Sequence, residues 1–138
     1  MNIQDRLEIQ DLVHHYAYYC DKFMFAEWAN LFAPDGVLDE SEFELGRYDG
    51  RAALADYGAA MASRVQHMVH LMSNILIWEP QADSARGTCF AIVESMHKTG
   101  RHARFHVNYE DRYARIDGRW VFQERILRKS FPPEIIAP

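Results

Sequence analysis

From Gln66 onward the hydrophobic pattern of this chain changes period, and that switch constrains the fold more than any other feature. Residues 68–78, 85–96, 103–116 and 119–128 are rich in β-branched and aromatic side chains, and turn signals separate them: Pro80-Gln-Ala-Asp83, Lys98-Thr-Gly100 and Asp117-Gly118. Asp117-Gly118 is the strongest hairpin signal in the chain. Upstream of the switch the spacing is helical. Ile9, Leu12, Val13, Tyr16 and Cys20 share one stripe of a helix over 5–20, behind Asn2 as cap and Asp5 as first-turn acid. A second short helix carries Phe25, Trp28, Leu31 and Phe32, and stops where Pro34-Asp35-Gly36 forces a turn. Val37-Leu38 and Phe43 to Tyr48 read as two short strands. Beyond Asp49-Gly50, an Ala-rich third helix runs to Arg64 with Leu54, Tyr57 and Met61 on a narrow apolar face. Helices followed by antiparallel strands predict an α+β fold: one domain over 1–138, its three N-terminal helices packed on one face of a strongly curved, mainly antiparallel sheet.

The strand faces say more. In 68–78 one face reads Met68, His70, Met72, Asn74, Leu76, Trp78 and the other Val69, Leu71, Ser73, Ile75, Ile77. Both are largely apolar, so the face turned away from the helices needs a cover, and another copy of the chain is the simplest one. A homo-oligomer is expected. In 103–113 the odd face is the more apolar, which leaves His102, Arg104, His106, Asn108, Glu110 and Arg112 for solvent or a subunit boundary.

A chain of 138 residues, 49% of them hydrophobic, buries roughly 68% of its unfolded surface and needs no staple. Cys20 and Cys89 have no nearby partner, which predicts buried thiols rather than a disulfide framework or a zinc site. A net charge of −5 with no long block of either sign argues against nucleic acid and anionic membranes as partners. The start Met-Asn-Ile-Gln-Asp-Arg is no secretion signal, and no apolar run nears the roughly 18 residues of a membrane span. A cytoplasmic location is expected.

Seven histidines invite a metal site, but spacing argues against one. His67 and His70 point to opposite faces of a strand. His102 and His106 share a face yet stand about 13 Å apart at roughly 3.3 Å per residue, and His14 and His15 diverge by about 100° on a helix. No phosphate loop, serine elbow or Cys-His constellation appears. What remains is acid–base chemistry in an apolar pocket. The candidates are Asp21, which closes the first helix among aromatic residues, and His70, inside a hydrophobic strand. A single histidine on an apolar strand is more often a hydrogen-bonded core residue, and a helix-end aspartate more often a turn residue, so the residues alone do not choose.

The order of segments resembles the SnoaL-like branch of the nuclear transport factor 2-like superfamily. The resembling stretches are Ile9-Gln-Asp-Leu-Val-His-His-Tyr16, Cys20-Asp21-Lys22, Trp28-Ala-Asn-Leu-Phe-Ala-Pro-Asp-Gly36, His70-Leu-Met-Ser-Asn74 and Tyr109-Glu-Asp-Arg-Tyr113, leading to Asp117-Gly-Arg-Trp120 and Arg125. The resemblance implies a cone-shaped fold. It also implies a catalytic dyad, because an Asp at the end of the first helix and a His on the first long strand serve the family's dehydratase and dehydrochlorinase members; Asp21 and His70 match those positions. Tyr16, Trp28, Asn74 and Tyr109 are the expected pocket residues. The second histidine of scytalone dehydratase has no counterpart in Gly87-Thr-Cys-Phe-Ala-Ile, which leaves the substrate open.

The expected function is a lyase or isomerase without cofactor or metal, acting by dehydration, elimination or retro-aldol cleavage on a small apolar cyclic or aromatic substrate, as a trimer or dimer. Two alternatives stand beside it: a noncatalytic ligand-binding or partner subunit resembling the small subunit of a ring-hydroxylating dioxygenase, and a polyketide cyclase. The segment after Pro132-Pro133 cannot continue a helix or central strand. It could cross the pocket mouth, reach a neighbouring subunit or stay disordered.

Overall fold

A computed structural model describes residues 1–138. Helix α1 spans Ile3–Asp21, α2 Phe25–Ala29 and α3 Arg51–Arg64. The strands are β1 Phe32–Asp39, β2 Arg47–Asp49, β3 Val65–Trp78, β4 Ser84–His97, β5 His102–Ile116, β6 Arg119–Lys129 and β7 Glu134–Ala137. They form one sheet in the order β2-β1-β6-β5-β4-β3, with β7 paired to β5. The only parallel pair is β1 with β6. The α+β architecture is the expected one: three helices on a mainly antiparallel sheet that curls into a cone.

The first helix starts as its sequence predicts. Asn2 accepts from the Asp5 backbone N–H, and Asp5 accepts from that of Asn2, a reciprocal cap that satisfies two of the donors a helix start leaves free. Its buried stripe of Ile9, Leu12, Val13, Tyr16 and Cys20 lies against the sheet. At the other end Phe23 takes φ +57, and the Met24 N–H reaches back to the Tyr19 carbonyl. That tight left-handed stop leaves Asp21 as the last helical residue, beside β3 rather than in solvent.

Four expectations are corrected. The second helix ends at Ala29, and Leu31-Phe32 do not extend it. Phe32 instead begins an eight-residue strand that runs through Pro34-Asp35-Gly36 where a turn was expected. The tripeptide is absorbed as a bulge: β1 advances from Phe32 to Val37 while β6 advances from Phe122 to Glu124. A Cβ at Gly36 would stand 3.0 Å from the Phe122 carbonyl oxygen, so only glycine lets the bulge hug β6. The expected strand from Phe43 to Tyr48 is a short 3₁₀ turn at Ser41–Phe43 followed by β2.

In β3 the strict alternation of faces fails at a one-residue bulge. Four residues from Ser73 to Leu76 span three from Thr88 to Phe90, and Asn74 takes φ +54. Met68, His70 and Met72 therefore face inward, but beyond the bulge Ile75 and Ile77 do so, while Asn74, Leu76 and Trp78 turn outward. The C-terminal segment, which the sequence left open, is a short strand off the main path of the sheet. Pro132-Pro133 lie outside any ladder, and Glu134–Ala137 then pair with His102–Arg104, where β5 outruns β6 and its edge is free.

The Asp117-Gly118 hairpin is as predicted, with φ +51 and +76 in the two turn residues. The core lies between the helices and the concave face, around Tyr16, Trp28, Phe32, Tyr109 and Phe122. Cys20 and Cys89 are buried free thiols. No helix is long and apolar enough to cross a membrane.

Candidate active site

The wide end of the cone encloses a cavity of about 180 Å³, and sixteen of its 22 lining residues are apolar. An apolar cavity of roughly 150 Å³ is enough to hold benzene. This one has room for a single ring with small substituents. Arg64, His97 and Arg101 stand at its rim.

On its wall, His70 meets Asp21. The two residues are 49 positions apart in sequence, and Nδ1 of His70 lies 2.6 Å from Oδ1 of Asp21. The second carboxylate oxygen accepts the His70 backbone N–H at 2.9 Å. One side chain thus holds both the ring and the strand that carries it. The side chains are 7% and 19% exposed. Because Asp21 occupies Nδ1, the cavity-side nitrogen Nε2 is the one left for a ligand, and a carboxylate on Nδ1 selects the tautomer whose Nε2 lone pair is free.

Tyr16, Trp28 and Tyr109 also line the cavity. Asn74 does not: the β3 bulge turns it to the exposed outer face. Burial pushes the Tyr16 and Tyr109 phenols well up, so both remain hydrogen-bond donors. Trp28 is fully buried, and its Nε1 has no partner in the protein.

Two site features escaped the sequence reading. Behind the tyrosines lies Arg125, fully buried, with its guanidinium carbon 4.3 Å from the Tyr16 ring centre, 3.9 Å from that of Tyr109 and 4.3 Å from that of Phe122. A two-pronged contact to Asp111, at 2.7 and 3.1 Å, neutralises it and keeps it charged. Its planar cation braces both tyrosine rings.

The other is Glu40, which follows β1 directly and lines the cavity with His70. Its Oε1 accepts the Tyr57 hydroxyl at 2.6 Å. Tyr57 itself is stacked on Tyr48 at 3.9 Å between ring centres. Burial raises the Glu40 carboxyl above its ordinary value, against the opposing pull of Tyr57, His70 and Arg125. The sequence held no clear signal for it, since Glu40 stands in an acidic stretch, Asp39-Glu-Ser-Glu42, just past the end of the strand.

Burial likewise pushes the Cys20 thiol well up and the Cys89 thiol up to about 11, so neither is a ready nucleophile. No three His, Cys, Asp or Glu side chains gather in a metal-holding arrangement.

These features define an α+β cone protein with a ring-sized apolar cavity walled by ionisable side chains. A family pattern and several solved structures share this fold. The chain belongs to the SnoaL-like domain family, whose pattern matches residues 1–126. Its fold is similar to that of a candidate aromatic ring hydroxylase from Novosphingobium aromaticivorans, at 24% identity over 98% of this chain and 95% of that one, with a TM-score of 0.93. A candidate scytalone dehydratase from the same organism is 21% identical over 99% and 91% of the two chains, TM-score 0.87. The hexachlorocyclohexane dehydrochlorinase LinA-type3 of Novosphingobium barchaimii is 20% identical over 98% and 92%, TM-score 0.85. At these identities the likeness is one of fold. No curated protein sequence matches the chain.

Proposed function

We propose that this protein is a lyase or isomerase that needs no cofactor and acts by proton transfer on a small, mostly apolar ring compound. The observation that carries the reading is the Asp21–His70 contact on the wall of a ring-sized apolar cavity. His70 Nε2 takes a proton from a carbon or hydroxyl of the substrate. Asp21 holds the Nδ1–H, fixes the ring and stabilises the imidazolium that forms. The Tyr16 or Tyr109 hydroxyl donates to the oxygen on which negative charge develops. Such a positioned base contributes about 10²–10⁴-fold, and confinement in the cavity supplies the rest through orientation.

The fold-level likeness to a dehydrochlorinase and a candidate dehydratase supports an elimination. The working unit in this proposal is a homo-oligomer, a trimer or a dimer, formed through the outer face of β3 and β4, where Val69, Leu71, Phe90 and Ile92 are all at least 40% exposed.

The test is to assay wild type, His70→Ala and Asp21→Asn on a panel of cyclic alcohols, halides and ketones for dehydration, elimination, retro-aldol cleavage and isomerisation. Loss of turnover in both variants, with the fold retained by circular dichroism, is the expected result. Undiminished turnover in both overturns the reading.

A further inference from the structure

Glu40 is a buried carboxyl with no cationic partner in hydrogen-bond contact, held at the cavity wall in one position. Its backbone N–H donates to the Gly46 carbonyl at 2.8 Å, and its own carbonyl accepts from Phe43 at 3.0 Å and Leu45 at 3.2 Å. Only Oε1 is engaged, by the Tyr57 hydroxyl. Burial favours the protonated form of a carboxyl in that setting, and Oε2, the oxygen that Tyr57 leaves free, is the one open to carry the proton. The titratable and charged groups around it are His70 from β3, Arg125 from β6 and the adjoining Asp39 at the end of β1; Tyr57 of α3, Tyr16 and Cys20 of α1 and Tyr109 of β5 are neutral neighbours. Arg125 is already matched by Asp111. Glu40 and His70 thus form a pair of titratable groups on one cavity, one set up to give a proton and the other to take one.

Resting on the proton-transfer reading above, we infer that Glu40 is the acid that protonates the departing group, and that the substrate is a single-ring alcohol, activated at the neighbouring carbon, which loses water. His70 Nε2 removes the proton from that neighbouring carbon, and that C–H electron pair becomes the C=C bond. The C–O bond breaks with its pair on oxygen, and the oxygen takes the Glu40 proton, so water leaves. His70 is now a cation and Glu40 an anion, and their attraction stabilises the charge-separated state. Transfer of the imidazolium proton back to Glu40 through the released water restores both groups.

The leaving group decides the matter. Hydroxide is the conjugate base of water, whose pKa is about 15.7, and needs a proton to depart. A halide needs none, so an acid that protonates the departing group serves an oxygen leaving group and is idle for a halide.

A matched pair of probes tests this: β-hydroxycyclohexanone and β-chlorocyclohexanone, which eliminate to the same enone. Glu40→Gln keeps the size of the side chain and an acceptor for Tyr57. It should lower dehydration by about 10²–10⁴-fold while changing loss of chloride less than about threefold; His70→Ala should lower both. Equal loss of both reactions in Glu40→Gln, or no loss of dehydration, overturns the role of Glu40 and leaves the His70 reading standing. Undiminished elimination in His70→Ala overturns that reading instead. Independently of any substrate, the infrared C=O stretch of a protonated carboxyl should be present in the wild type at pH 7 and absent from Glu40→Gln. An ionised Glu40 at that pH also overturns the assignment.

Discussion

The Asp21 carboxylate grips His70 twice, ring Nδ1 at 2.6 Å and backbone N–H at 2.9 Å, so the tilt of the imidazole and the path of β3 are set by one side chain from the end of α1. Asparagine in its place can satisfy only one of those donors as an acceptor and can offer its own N–H to the ring. Asp21→Asn is therefore expected to leave the fold intact but to mix the imidazole tautomers. Nitrogen NMR of labelled histidine reads this directly: a proton on Nδ1 in the wild type, a mixture in the variant, and a fall of about 10²–10⁴-fold in kcat.

Glu40 makes stability depend on pH in a defined direction. Below the carboxyl's ordinary value of 4.5, the folded and unfolded chains both carry its proton. Above it the unfolded chain ionises freely, while burial raises the folded value, so the stability Glu40 contributes is lost as pH rises through that raised value. Glutamine does not titrate. Melting curves of Glu40→Gln and wild type should lie together on this account below about pH 4.5 and separate at higher pH, with the variant the more stable.

Arg125 and Asp111 are both fully buried and bonded to each other. Removing one partner strands the other charge, at a cost of about 3–5 kcal/mol. Arg125→Ala should lower the urea midpoint accordingly. It should also loosen Tyr16 and Tyr109, the rings the guanidinium braces, so aromatic near-ultraviolet dichroism should weaken even in conditions where the variant stays folded.

On the outer face of the sheet Leu71 stands directly opposite Ile92, and the two are 60% and 40% exposed. If this face joins copies of the chain as proposed, wild type should run as a dimer or trimer in light scattering, and Leu71→Asp together with Ile92→Asp as a monomer with little change in helix content. A particle of unchanged mass would place the interface elsewhere.

Much of this architecture was readable because its signals are local. The capped first helix, the Asp117-Gly118 hairpin and the four long strands each follow from residues within a few positions of one another. The expectation that Tyr16 and Tyr109 line a cavity came by resemblance, as did the pairing of Asp21 with His70. By periodicity alone Asp21 lies roughly 100° from the centre of its helix's apolar stripe, and nothing in the first helix points to the third strand. Asn74 was misplaced because one extra residue in β3 reverses the side of every residue after it. The helix-like spacing of Leu31 and Phe32 misled because their true partner, Phe122, lies in a strand near the other end of the chain.

Local order in the amino acids therefore dictated which segments coil, which extend and where the chain turns. Closure of the cone chose the rest: that β1 lies parallel to β6, that a carboxyl from one element seizes an imidazole from another, and that Glu40 sits dry beside them. Those outcomes depend on desolvation and on distances between segments far apart in sequence, and neither quantity exists until the chain has folded.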